Sequence, residues 1–80
     1  MLEKILKWYP EDDLVRFDGL DDGIIGIDMH ENRLIYSKSK CVNILSINLR
    51  TEEDVHKFFN EYVATEYHGV KTPIICLDDL

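Results

Sequence analysis

Apolar and polar positions along the chain recur with two periods, that of a helix and that of a strand. Leu2, Ile5, Leu6 and Tyr9 fall at helical spacing with Glu3, Lys4 and Lys7 between them, which predicts a short amphipathic helix stopped at Pro10. Such a helix is too short to persist alone in water, so it must dock. In DLVRFD, Leu14, Arg16 and Asp18 alternate with Val15 and Phe17, the pattern of a short strand. GIIGIDM alternates more clearly, with Ile25, Ile27 and Met29 on one side and Ile24, Gly26 and Asp28 on the other. HEN supplies turn chemistry, and RLIYS returns with Leu34 and Tyr36 sharing a face, which predicts a β-hairpin.

KCVNILSIN places Cys41, Val42, Ile44, Leu45 and Asn48 at helix-compatible positions. Thr51 then reads as an N-cap. Glu52, Glu53 and Asp54 follow in the first turn, where carboxylates suit the positive end of the helix dipole, and Thr51 with Asp54 has capping-box spacing. The strongest periodicity is Val55, Phe58, Phe59, Tyr62 and Val63, with Lys57, Asn60, Glu61 and Ala64 opposite. Gly69 breaks the chain, and Pro73 opens a last strand, PIICL, expected beside the hairpin. The expected fold is one α+β domain over residues 1–80. It has a small, mainly antiparallel sheet of three or four strands, with two or three helices packed on one face.

Composition narrows this little. At 80 residues, 45% hydrophobic and 31% charged, the chain is too apolar for a disordered tail, and its core is small. MLEKILKWYP is too interrupted by charge for a secretory signal, and no run approaches a membrane span. Charge changes the picture more. The net charge is −7, with nine acids against three bases in residues 1–32. Residues 33–50 instead carry four bases (Arg33, Lys38, Lys40 and Arg50) and no acid. The whole chain repels nucleic acid at long range and attracts a basic partner.

FDGLDDGIIGID, residues 17–28, is the stretch that most resembles a chemical site. Read as a calcium loop from Asp18, it has Leu20 where the third ligand belongs and Met29 where the bidentate glutamate belongs. Gly19, Gly23 and Gly26 do not have dinucleotide-loop spacing, and four carboxylates repel phosphate. The reading that remains is a turn. Gly19 and Gly23 would permit positive φ, Asp21 and Asp22 would satisfy turn amides, and Gly26 would allow close approach in the sheet. A carboxylate cluster at the sheet's edge that meets a basic partner is the functional version of the same turn.

His30, His56 and His68 are scattered, without metal-ligand spacing. Cys41 and Cys76 stand alone and read as reduced, packed thiols, with the apolar IICL setting making Cys76 a poor nucleophile. No catalytic residue, cofactor or metal is expected. The expected function is non-enzymatic binding of a basic protein, such as a nucleic-acid-handling enzyme, by an inhibitor or DNA mimic. Asp18, Asp21, Asp22, Glu53 and Glu61 are the contact residues, with Glu52 and Asp54 adding to the acidic helix face. One alternative is a nucleic-acid-binding module built on Arg33, Lys38, Lys40 and Arg50, with Tyr36 for stacking. Another is a structural homodimer joined through Trp8, Tyr9 and the first helix.

LDDGIIGID, RLIYS, a Cys-containing apolar segment, TEEDVHKFFNEY and HGVKTPII, in this order, resemble small uncharacterised proteins encoded in bacteriophage and prophage genomes. In those, a DD-x-IIG strand precedes a Tyr-bearing strand, a short helix, an (S/T)EE-x-x-x-x-F helix and a Gly-x-x-Thr-Pro strand. The resemblance covers residues 20–77, and NEYVATEY departs from the pattern. It implies expression in the cytoplasm of a bacterial host, with a host or phage protein as the basic partner, and transfers no activity and no functional residues.

Overall fold

A computed structural model describes residues 1–47, 51–64 and 69–79. Asn48, Arg50 and His68 lie outside the described residues, as do the side chains of Tyr62 and Ala64. Helix α1 (Leu2–Leu6) leads to strand β1 (Ile24–Ile27), strand β2 (Leu34–Ser37), helix α2 (Lys38–Ser46), helix α3 (Glu52–Phe59) and strand β3 (Ile74–Cys76). Single 3-10 turns cover Glu11–Asp13, Asp21–Gly23 and Gly69–Lys71, and a π turn extends α3 over Asn60–Ala64. Among the described residues, no helix is long and apolar enough to cross a membrane.

The expected α+β class holds, with a three-stranded sheet in the order β1-β2-β3. The hairpin β1–β2 is antiparallel, whereas β3 runs parallel to β2. The parallel direction follows from the connection, because α2 and α3 intervene and carry the chain back to the same end of the sheet. The expected strand over 14–18 does not form. Leu14–Phe17 has no ladder partner among the described residues.

A register irregularity between Ile24 and Gly26 makes Ile25 the extra residue of a β-bulge. Strict alternation through GIIGIDM therefore fails. Ile24 pairs with Tyr36 and Ile27 with Leu34, so both join the core face, while Met29 is left 78% exposed. The hairpin turn is held by Asp28. Its carboxylate oxygens accept the amides of His30 and Glu31 at 3.2 Å each, and Asn32 takes the left-handed conformation at φ 57°.

Leu34 and Tyr36 are fully buried on the face of β2 to which α1 contributes Ile5, α2 Cys41, and α3 with its extension Phe59 and Val63. Phe58 stays at the edge of this stripe, 38% exposed. Thr51 caps α3 as expected, its Oγ1 accepting the Asp54 amide at 3.1 Å. Ser37 ends β2 and caps α2, accepting the Lys40 amide at 3.2 Å.

The chain after β3 returns to that cap. Asp78 accepts the Ser37 hydroxyl at 2.5 Å and the Ser39 amide at 2.9 Å, and Lys38 Nζ lies 3.1 Å from Asp79 Oδ2. The Ser37 hydroxyl, then the Ser39 amide, hold the Asp78 carboxyl below its ordinary value. A depressed carboxyl contributes stability above the unfolded-state pKa, about 3.9, and loses it as pH falls through the folded value. Urea midpoints measured between neutral pH and strong acid should therefore place Asp78→Asn below the parent at neutral pH. The two curves should converge in acid.

Candidate functional site

The acidic turn is built on the core from below. Phe17 and Leu20 are 7% and 3% exposed and Gly23 is buried, while Asp18, Asp21 and Asp22 between them are exposed. The Leu20 amide donates to the Phe17 carbonyl at 3.3 Å, and Gly19 takes φ +80° at the third position, as a type II turn requires. The Gly23 amide then closes on Leu20 at 2.8 Å.

The anchor of this turn is Tyr36. Its hydroxyl accepts the Phe17 amide at 3.0 Å, and its ring lies 5.0 Å from that of Phe17, tilted by 52°. Burial, the largest influence, pushes the phenol above its ordinary value and keeps it neutral. Arg16 ties the turn laterally, 2.7 Å from Glu11 and 3.4 Å from Asp21.

Two expected glycine roles change. Gly23 has no positive φ, and its function is close approach: a Cβ there would lie 2.7 Å from Cys41 Sγ. Gly26 allows no such approach, because a Cβ there meets nothing within 4 Å. The Leu20 and Gly23 amides of this turn go to backbone carbonyls, not to Asp21 or Asp22 as expected. Asp28 serves the hairpin turn, whereas Asp21 faces Arg16.

Asp21 and Asp22, with Glu3, Lys40, Leu2, Ile24 and Met1, line an open cleft of about 410 Å³. Among the described residues, no three His, Cys, Asp or Glu side chains converge on a possible ion position. Glu53 is exposed in the first turn of α3 and Glu61 in the π turn that follows. Of the contact residues expected from the sequence, Asp21 and Asp22 lie on a turn and Glu53 on a helix that both pack against α2, Glu61 lies on the extension of that helix, and Asp18 precedes the turn.

The basic segment is largely engaged by the fold. Arg33 Nε donates to the Thr72 carbonyl at 2.5 Å. Lys38 holds Asp79 and lies 5.9 Å from the centre of the Phe59 ring. Lys40 is exposed but borders the acidic cleft, and Tyr36 is 0% exposed, so no base can stack on it. The first helix ends at Leu6, short of the stop expected at Pro10, and beyond it Trp8 is 81% exposed while Tyr9 packs partly against the core.

The thiols are free, Cys41 buried and Cys76 half-buried. Burial, then the nearby Asp78 charge, pushes the Cys41 thiol up to about 11, so it is protonated and unreactive at neutral pH. His30 is exposed on the hairpin turn, and His56 lies 3.6 Å from Glu52 one helical turn earlier.

The sequence reading missed three contacts that build the site: Tyr36 to Phe17, Arg16 to the acids around it, and Asp78 to Ser37. A serine directly before a helical segment was the one local signal, for Ser37 as a cap. The other partners are distant in sequence or lie in a segment read as a strand. Compared with protein families, with curated proteins and with solved structures, the chain matches none.

The 2.7 Å approach at Gly23 yields a test of how firmly the turn is seated. Gly23→Ala should destabilise the fold by about 1–3 kcal/mol, the usual cost of overpacking. In a double-mutant cycle with Cys41→Ala, which removes the opposing sulfur, the double variant should be less destabilised than the sum of the singles. A coupling of about 1 kcal/mol in urea unfolding is expected, and additivity would mean that the turn shifts freely.

Proposed function

We propose that this protein is a non-enzymatic binding protein that presents acidic side chains to a basic surface on a host or phage protein. It would act in the cytoplasm of a bacterial host, as the resemblance to phage-encoded proteins implies. The observation that carries the reading is the seating of the acidic turn. Asp18, Asp21 and Asp22 are exposed on a backbone fixed by Phe17, Leu20 and Gly23 beneath them. Carboxylates held on a rigid support lose little conformational entropy on binding, so more of their Coulomb attraction remains as affinity. The net charge of −7 favours encounter with a basic partner, a nucleic-acid-handling enzyme being the natural class. Glu52, Glu53 and Asp54 form a second exposed acidic group, with Glu61 further along, and together with the turn they would imitate part of a phosphate array.

Engagement of Arg33 and Lys38 within the fold, and burial of Tyr36, argue against the alternative of a nucleic-acid-binding module. Affinity capture from a bacterial lysate should compare the parent with Asp21→Lys/Asp22→Lys, circular dichroism confirming that both are folded. A captured basic protein should bind the variant about tenfold more weakly or worse, and its binding to the parent should weaken as salt shortens the screening length. Undiminished affinity in the variant would contradict the proposal. A shift of labelled DNA or RNA by the parent at low salt would favour the nucleic-acid alternative instead.

A further inference from the structure

Strand β3 is attached differently from the rest of the sheet. It is three residues long, lies at the sheet edge, and is only half-buried at Ile74, Ile75 and Cys76. Of these, Ile75 alone packs against the core cluster, only partly buried, and Pro73 just before them is the one buried residue of the segment 72–79. Polar contacts hold the segment at both ends. At its start, Arg33 holds the Thr72 carbonyl and Lys71 Nζ donates to the Glu31 carbonyl at 2.9 Å. At its end, Asp78 and Asp79 hold Ser37, Ser39 and Lys38. By contrast, β1 and β2 carry Ile24, Leu34 and Tyr36, each at most 2% exposed. Segments with few buried apolar contacts and exposed polar fastenings open below the global unfolding free energy.

We propose that residues 72–79 form a strap that detaches as a unit while the hairpin and helices stay folded, with the Asp78 and Asp79 contacts to α2 as its release point. Opening the strap bares the outer edge of β2 and the Ser37 hydroxyl, which is 0% exposed when the strap is closed. The hydroxyl then keeps only the Lys40 amide and the neighbouring Ser39 hydroxyl, 3.0 Å away. Strap closure and the capping of α2 are therefore coupled through one side chain.

The two cysteines report separately on strap and core. Cys76 lies in the strap, and Cys41 is buried against Gly23. The parent, Asp78→Asn and Lys38→Gln would be labelled with N-ethylmaleimide under native conditions, and each site followed by mass spectrometry after digestion. Each variant should label Cys76 several-fold faster than the parent does, with a clearly smaller change at Cys41. Unchanged Cys76 rates in both variants would mean that the contacts do not control opening. Equal acceleration at both cysteines would mean that the segment opens only with the whole fold. Either result overturns the proposal.

Discussion

The acidic turn is seated on the core through the hydrogen bond from the Phe17 amide to the Tyr36 hydroxyl. Tyr36 is in the central strand, fully buried, with β1 on one side and β3 on the other. Its phenol satisfies an amide from a segment that forms no ladder. A buried amide without a partner costs about 1–3 kcal/mol, so an irregular segment can lie on a small core only where such a partner is supplied. With Phe17 fixed, the type II turn at Gly19 and the contact of Gly23 with Cys41 follow over six residues, and the aspartates between them are turned to solvent.

Much of the fold was legible because the signals are local. The hairpin, the Thr51 cap and the stripe of Val55, Phe59 and Val63 rest on period and on capping chemistry within one turn. Errors arose where tertiary contacts overrode local pattern. Leu14–Phe17 alternates like a strand, but the Phe17 amide is taken by Tyr36 and no ladder forms there. Ile25 alternates with its neighbours in sequence, yet a bulge puts Ile24 and Ile27 on one face. Gly23 carries no mark that separates a flexible turn glycine from one pressed against a thiol. Of the candidate site, the exposure of the aspartates followed from polarity alone, whereas the means of their seating, nineteen residues away in sequence, did not.

The molecule divides its electrostatics between inside and outside uses. Arg16, Arg33 and Lys38 serve as ties between segments, and Asp28, Asp78 and Asp79 do the same with amides, hydroxyls and ammonium groups. Exposed ion pairs of this kind add little stability individually. Their effect is to select one placement for segments that a small apolar core does not fully specify. The acids of the 18–22 turn and the start of α3 face outward, and those of the turn stand on a backbone packed against the core.

Amide hydrogen exchange at Phe17 tests this most directly. If the Tyr36 hydroxyl seats the turn, the Phe17 amide exchanges as slowly as the ladder amides of β1 and β2, and Tyr36→Phe raises its rate far more than theirs. Exchange of Phe17 at the rate of an open loop in the parent protein, with the hairpin still protected, would show that the aspartates ride on a loose segment and would contradict the account.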